Sequence, residues 1–159
     1  MRALLSEAKA CRVCEKHLEP RPVVRASASA RLLIVGQAPG RRVHESGIPW
    51  NDPSGDVLRG WLGMEREAFY DTARVAIVPM GLCYPGTVGG ADLPPRRECA
   101  PAWHARLFAA MPQLELVLIV GSYAQRWHLG EAGAGSMTDT VRRWRELLPR
   151  LRREIRNLM

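Results

Sequence analysis

The chain has 159 residues, 47% of them apolar, which is enough for one domain around a single core. No apolar run is long enough to span a bilayer and charges break up the first residues, so neither a membrane span nor a secretory signal is expected and the protein reads as cytoplasmic. The net charge is +7 and 21 of the 23 basic residues are arginine, a side chain that grips phosphate bidentately and stacks on bases. A GC-rich genome accounts for arginine in place of lysine but not for the surplus of positive charge.

Residues 3–10 are predicted to form a short helix that leads into Cys11 and Cys14. A Pro- and Ser-containing connection follows over 18–30. Leu32-Leu33-Ile34-Val35 has the length and the bounding glycine of a buried parallel strand, predicted over 31–36. It runs into a loop stiffened by Pro39, Pro49 and Pro53, with Trp50 in its middle. A helix is predicted over 55–63, with 65–71 continuing it or adding a turn. A second strand is expected over 74–79, then a long loop over 80–101. A loop of that length in a compact domain is functional or pinned. A helix over 103–111, a strand over 116–120 and a helix over 122–129 capped by Ser122 come next. A last helix, over 138–148 and capped by Thr138, leads to a basic amphipathic tail over 150–159. Strands alternating with helices predict one α/β domain over 1–159 with a parallel sheet, preceded by a cysteine-containing segment over 1–30. In such sheets ligands bind beyond the carboxyl ends of the strands, where the Trp50 loop lies.

The four cysteines carry a second signal. Cys11 and Cys14 form C-x2-C, and Cys83 and Cys99, within and near the end of the second long loop, are separated by fifteen intervening residues. In a cytoplasmic protein such pairs point to metal or redox chemistry rather than to disulfides. Four thiolates suit a structural zinc or an iron–sulfur cluster, and the spacing does not separate the two. Four unrelated buried thiols, or a redox dithiol at Cys11 and Cys14, are the alternatives.

Gly36-Gln37-Ala38-Pro39-Gly40, then Pro49-Trp50, then Asp52-Pro53-Ser54-Gly55 and an apolar helix, together with the C-x2-C…C…C pattern, resemble the uracil-DNA glycosylase superfamily, in particular its iron–sulfur branch, family 4, and uncharacterised relatives of that branch. The resemblance runs from Cys11 to about Arg150. It implies a three-layer α/β/α sandwich with a short parallel sheet. It also implies a DNA-binding monomer that removes uracil or another deaminated base by hydrolysis, with a 4Fe–4S cluster on Cys11, Cys14, Cys83 and Cys99, zinc being the alternative. By the same resemblance Trp50 stacks on the flipped base. Gly36 and Ala38 line its pocket through backbone amides, and Gln37 orients the water or the base carbonyl. Arg41, Arg42 and Ser54 meet phosphates, and His44 contacts DNA or replaces an acid.

Three departures accompany the resemblance. The acid of the branch's Gly-acid-x-Pro-Gly motif is Gln37, which positions water but takes no proton. Pro79 and Met80 occupy the region where an Asn reads the uracil edge. After Arg150 the chain reads Leu151-Arg152-Arg153-Glu154-Ile155-Arg156-Asn157-Leu158-Met159, with no His-Pro-Ser motif, so the last strand and its anion-stabilising His are expected to be missing and the basic tail to cover the exposed edge. Losing such a donor commonly costs about 10²–10³ in rate. The alternative functions are therefore a weakened or inactive nucleic-acid-binding protein of the same fold, or a zinc-stabilised α/β protein with a small-molecule pocket.

Overall fold

The computed structural model describes residues 1–130 and 137–159. In chain order the elements are α1 (Arg2–Lys9), β1 (Leu32–Val35), α2 (Arg41–Ser46), α3 (Pro53–Leu62), α4 (Arg66–Phe69) and β2 (Val75–Ile77). They are followed by β3 (Thr87–Val88), β4 (Ala91–Asp92), α5 (Cys99–Ala109), β5 (Leu116–Ile119), α6 (Ser122–Leu129) and α7 (Met137–Leu158). The main sheet is parallel, in the order β2-β1-β5. Its central strand is the all-apolar run, and every residue of β1 is buried, as strands covered on both faces require.

Alternation along β1 sorts the core into two layers. Leu32 and Ile34, with Val75, Ile77 and Leu118, face Leu58, Leu62, Phe69, Ile155 and Leu158. Leu33 and Val35, with Ala76, face Ala8, Trp103, Leu107 and Ala124. Helices α3, α4 and α7 thus cover one face and α1, α5 and α6 the other, which is the expected three-layer sandwich. Val23, Val24 and Ala26 of the 18–30 connection are buried, and Arg25 bridges Ile77 antiparallel, so this segment closes the β2 edge.

The structure corrects several sequence-based boundaries. The loop after β1 contains a short helix, α2, that its prolines and glycines concealed. The second long loop folds into a hairpin, β3–β4, turned by Gly89 and Gly90, both at positive φ. Helix α5 begins at Cys99 rather than at residue 103. Helix α6 is preceded by Gly121 at φ 93, and the Ser122 side chain caps nothing. The Thr138 side chain lies outside the described residues. The tail over 150–159 is the second half of α7. Its apolar residues Ile155 and Leu158 are buried on the sheet face beside α3, and Arg152 donates to the carbonyls of Gly60 and Trp61 at the end of α3. Among the described residues no strand follows β5, and no helix is long and apolar enough to cross a membrane.

Behind the end of β2 lies a pair of histidines that no sequence pattern announces. His104 is buried and its Nε2 lies 2.9 Å from the Pro79 carbonyl, which can only accept, so Nε2 carries the proton. Nδ1 is then the acceptor for His128 Nε2–H at 3.2 Å. Burial holds both rings below the ordinary histidine pKa, with the Pro79 carbonyl opposing that shift at His104. The unfolded chain therefore takes up these protons first, so stability is fully present above the ordinary histidine value and falls as the pH drops below it. Thermal melts should show Tm falling between about pH 7.5 and about pH 5.5, with a shallower slope in His104→Gln. An equal slope in the variant would exclude the pair as the cause.

Candidate nucleic-acid and base-binding site

Two long loops leave the carboxyl ends of β1 and β2 and enclose an open cleft of about 220 Å³. Its walls include Gly36, Gln37 and Ala38 from the first loop, Trp50 and Ser54 from the approach to α3, Pro79 at the end of β2, and Asp92 from the hairpin.

Trp50 is the only non-glycine residue at positive φ among those described, at φ 57. A bulky side chain there costs about 1–3 kcal/mol. The surroundings hold it from several sides. Arg59, buried in α3, donates to the Trp50 carbonyl at 3.2 Å, and the Tyr70 hydroxyl donates to the Pro49 carbonyl at 2.8 Å. Burial raises the Tyr70 pKa against the pull of Arg59, Arg66 and Arg25, so the phenol stays a donor. The guanidinium groups of Arg66, Arg25 and Arg59 lie 5.0, 5.3 and 5.8 Å from the Tyr70 ring centre. Asp52 caps α3 by accepting from the Gly55 amide at 2.8 Å, with Pro53 in the first turn. Two glycines let the tryptophan approach. A Cβ on Gly55 would sit 1.8 Å from the Trp50 carbonyl oxygen, and one on Gly36 would sit 2.8 Å from the indole Cζ2.

Asp92 reaches the opposite wall. Tyr84 donates to Thr87, and Thr87 donates to Asp92 Oδ1 at 2.8 Å, which fixes the carboxylate and leaves Oδ2 beside Gly40. His44 is not in the cleft. Its Nε2 is 3.4 Å from Glu19 and its ring packs on Tyr84 with centres 5.6 Å apart. Arg41 and Arg42 are exposed at the start of α2, and neither lines the cleft. The amides of Gln37 and Ala38 donate to no backbone carbonyl among the described residues.

Beneath the second loop Cys11, Cys14, Cys83 and Cys99 line one small cavity, and none is in a disulfide. The Leu82 amide donates to Cys99 Sγ at 3.2 Å, the Arg21 amide donates to the Cys83 thiol, and Arg96 donates to the Cys14 thiol. Burial pushes Cys99 up to about 12 and Cys83 up to about 11, and the neighbouring thiols push the same way. Among the described residues no three His, Cys, Asp or Glu side chains form a ready-made metal-binding group. The four sulfurs that share this cavity are the chemical donor type a tetrathiolate centre needs, and donors face three of them, Cys14, Cys83 and Cys99.

A family model described as the uracil DNA glycosylase superfamily matches residues 24–157. The chain belongs to the uracil DNA glycosylase superfamily. Its members act on DNA, and the chain has a DNA glycosylase-like fold. The fold places Gly36, Gln37, Ala38, Trp50 and Ser54 on the walls of one cleft. It separates Arg41, Arg42 and His44 from them because α2 turns these side chains away from the cleft. The residue that sequence reasoning missed is Asp92. The Thr87-Val88-Gly89-Gly90-Ala91-Asp92 pattern carries the Gly-Gly hairpin signal that would have folded it back toward β1.

Because Gly55 touches the Trp50 backbone, Gly55→Ala should lower the free energy of urea unfolding of the protein by at least about 2 kcal/mol. Gly60→Ala in the same helix, where a Cβ meets nothing within 4 Å, should be neutral or gain up to about 1 kcal/mol. Equal losses at the two sites would show that the close approach of Gly55 to Trp50 is not what the substitution disturbs.

Proposed function

We propose that this chain is a monofunctional DNA glycosylase, a cytoplasmic monomer that removes uracil or another deaminated base by hydrolysis. The observation that carries the proposal is Trp50, held in a strained backbone conformation in a cleft that also presents Gln37 and Asp92. A flipped base stacks on the indole face, and the free amides of Gln37 and Ala38 meet its polar edge. Gln37 aligns the water or the base carbonyl. Asp92 supplies the proton acceptor that Gln37 is not. As water attacks C1′, the C1′–N bond breaks and its electron pair leaves on the base. The water's proton passes to Asp92 and from there to the departing base anion, and the products are the free base and an abasic site. His44 acts through Tyr84 and Thr87 as a positioning residue for Asp92. Arg41, Arg42 and Ser54, at the starts of α2 and α3, meet phosphates around the extruded nucleotide.

Cys11, Cys14, Cys83 and Cys99 hold an iron–sulfur cluster in this reading. Such a cluster fixes the second loop, and with it the hairpin that carries Asp92. The amide donors at Cys83 and Cys99 and the Arg96 donor at Cys14 favour a sulfur-rich centre of high negative charge, with zinc as the alternative. Anaerobically purified protein should be brown, with about four iron and four sulfide per chain. A colourless protein with one zinc would reject the cluster.

Gln37, standing where the iron–sulfur branch has an acid, favours a second reading, a binding protein of the same fold without excision. Single-turnover assays on a uracil-containing oligonucleotide separate the two. Excision is expected in the wild type, lowered at least about 10²-fold by Trp50→Ala and by Asp92→Asn, with affinity for undamaged DNA unchanged. Binding without excision would establish the second reading, and full activity in Asp92→Asn would exclude Asp92 as the proton acceptor.

A further inference from the structure

A second groove, of about 340 Å³, is lined by Met80, Pro95, Arg97, Tyr123, Arg126 and Trp127 among others. Tyr123 and Trp127 stand four residues apart on α6, hence on one face, and are 38% and 51% exposed. This exposure is unusual in a chain that buries Trp103 to 5%. Arg97 and Arg126 form no ion pair with any described residue, while Arg96 is engaged by Glu98 and Cys14. Flat aromatic faces with unpaired guanidinium groups beside them are the elements of a single-strand nucleic-acid platform.

The position of the groove ties it to the base cleft. Pro79 lines the cleft and Met80 the groove. Gly81 sits on the ridge between them, where an added Cβ would lie 3.0 Å from Pro95 on the groove side and 3.5 Å from Ala38 on the cleft side. The chain leaves β1 for β2 on one side and returns to β5 on the other, so the switch point of the sheet lies between β1 and β5. Ligands bind at the carboxyl ends of strands at such a point, and α6 begins there, directly after β5.

We infer that this groove takes an unpaired nucleotide of the DNA strand next to the extruded base. Its base stacks on Trp127 and Tyr123 and its phosphates lie against Arg97 and Arg126. A base in that position is not paired, so the natural substrate is single-stranded DNA. The inference rests on the DNA-acting reading above but not on its chemistry. A protein segment or a second copy of this chain is the competing occupant. The unpaired positive charge favours the nucleotide over both, since a second copy would bring the same arginines face to face.

Fluorescence anisotropy of the full chain with a labelled oligothymidylate strand, and with a duplex of the same length, tests it. Trp127→Ala should weaken single-strand binding roughly tenfold and leave the salt dependence unchanged, while Trp127→Phe, which keeps a ring, retains most of the affinity. Arg97→Gln with Arg126→Gln should reduce the slope of log affinity against log salt by about 0.7 for each phosphate that is no longer neutralised. Duplex binding should change little in either variant. Unchanged single-strand affinity in Trp127→Ala would overturn the inference. So would an equal loss on duplex, or a wild-type dimer in sedimentation that Trp127→Ala dissociates. If the wild type binds the strand through Trp127 and excises nothing, the catalytic reading fails and the groove stands. If it excises normally and Trp127→Ala changes nothing, the reverse holds.

Discussion

The carbonyl of Trp50 accepts a hydrogen bond from a buried arginine, and the conformation of the whole cleft follows from that contact. At φ 57 the tryptophan backbone is in a region that bulky residues avoid. Arg59 fixes the carbonyl from below, Tyr70 fixes the preceding carbonyl of Pro49, and Asp52 starts α3 two residues later. Without the clamp the loop would relax by rotating about Trp50, and the indole would leave Gly36. The strain of about 1–3 kcal/mol is stored where a flat ligand would be held, a common association in binding sites. Arg59 is itself paired to Asp56 and lies 5.4 Å from the centre of the Phe69 ring, so the clamp is continuous with the core under the sheet.

The opposite wall depends on a different kind of support. Asp92 sits on a two-stranded hairpin whose strands are exposed and too short to be stable alone. Its anchors are the Tyr84–Thr87–Asp92 hydrogen-bond chain, the packing of His44 on Tyr84, and the cysteine cavity that holds both ends of the long loop. A centre bound by the four thiols would therefore act on the cleft through loop geometry rather than by touching a ligand. The buried His104–Pro79 hydrogen bond does the same for the ridge between the cleft and the α6 groove.

Much of this was legible in the sequence. The apolar run at 32–35, flanked by runs at 75–78 and 116–120, marks out the sheet, because buried parallel strands need no polar alternation. The stretch from Gly47 through Pro49, Trp50, Asp52 and Pro53 to Gly55 marks out the cleft, since these residue types answer local backbone demands: a cap, a first-turn proline, a close approach. What stayed hidden depends on contacts distant in sequence. His44 reads as a loop residue facing the ligand until α2 forms and turns it toward Glu19. Asp92 reads as a loop carboxylate until the Gly89-Gly90 turn folds it back. Ile155 and Leu158 read as the apolar side of a basic amphipathic tail, and only the packing of α7 beside α3 shows that they complete the core under the sheet.

The clamp is tested most directly by single-turnover excision from a uracil-containing oligonucleotide with Arg59→Met, which keeps the side chain's bulk and removes its hydrogen bonds. The account predicts measurable excision by the wild type and a loss in Arg59→Met as deep as that of Trp50→Ala, with binding to undamaged DNA intact. Absence of excision by the wild type, or full activity in Arg59→Met, would contradict it.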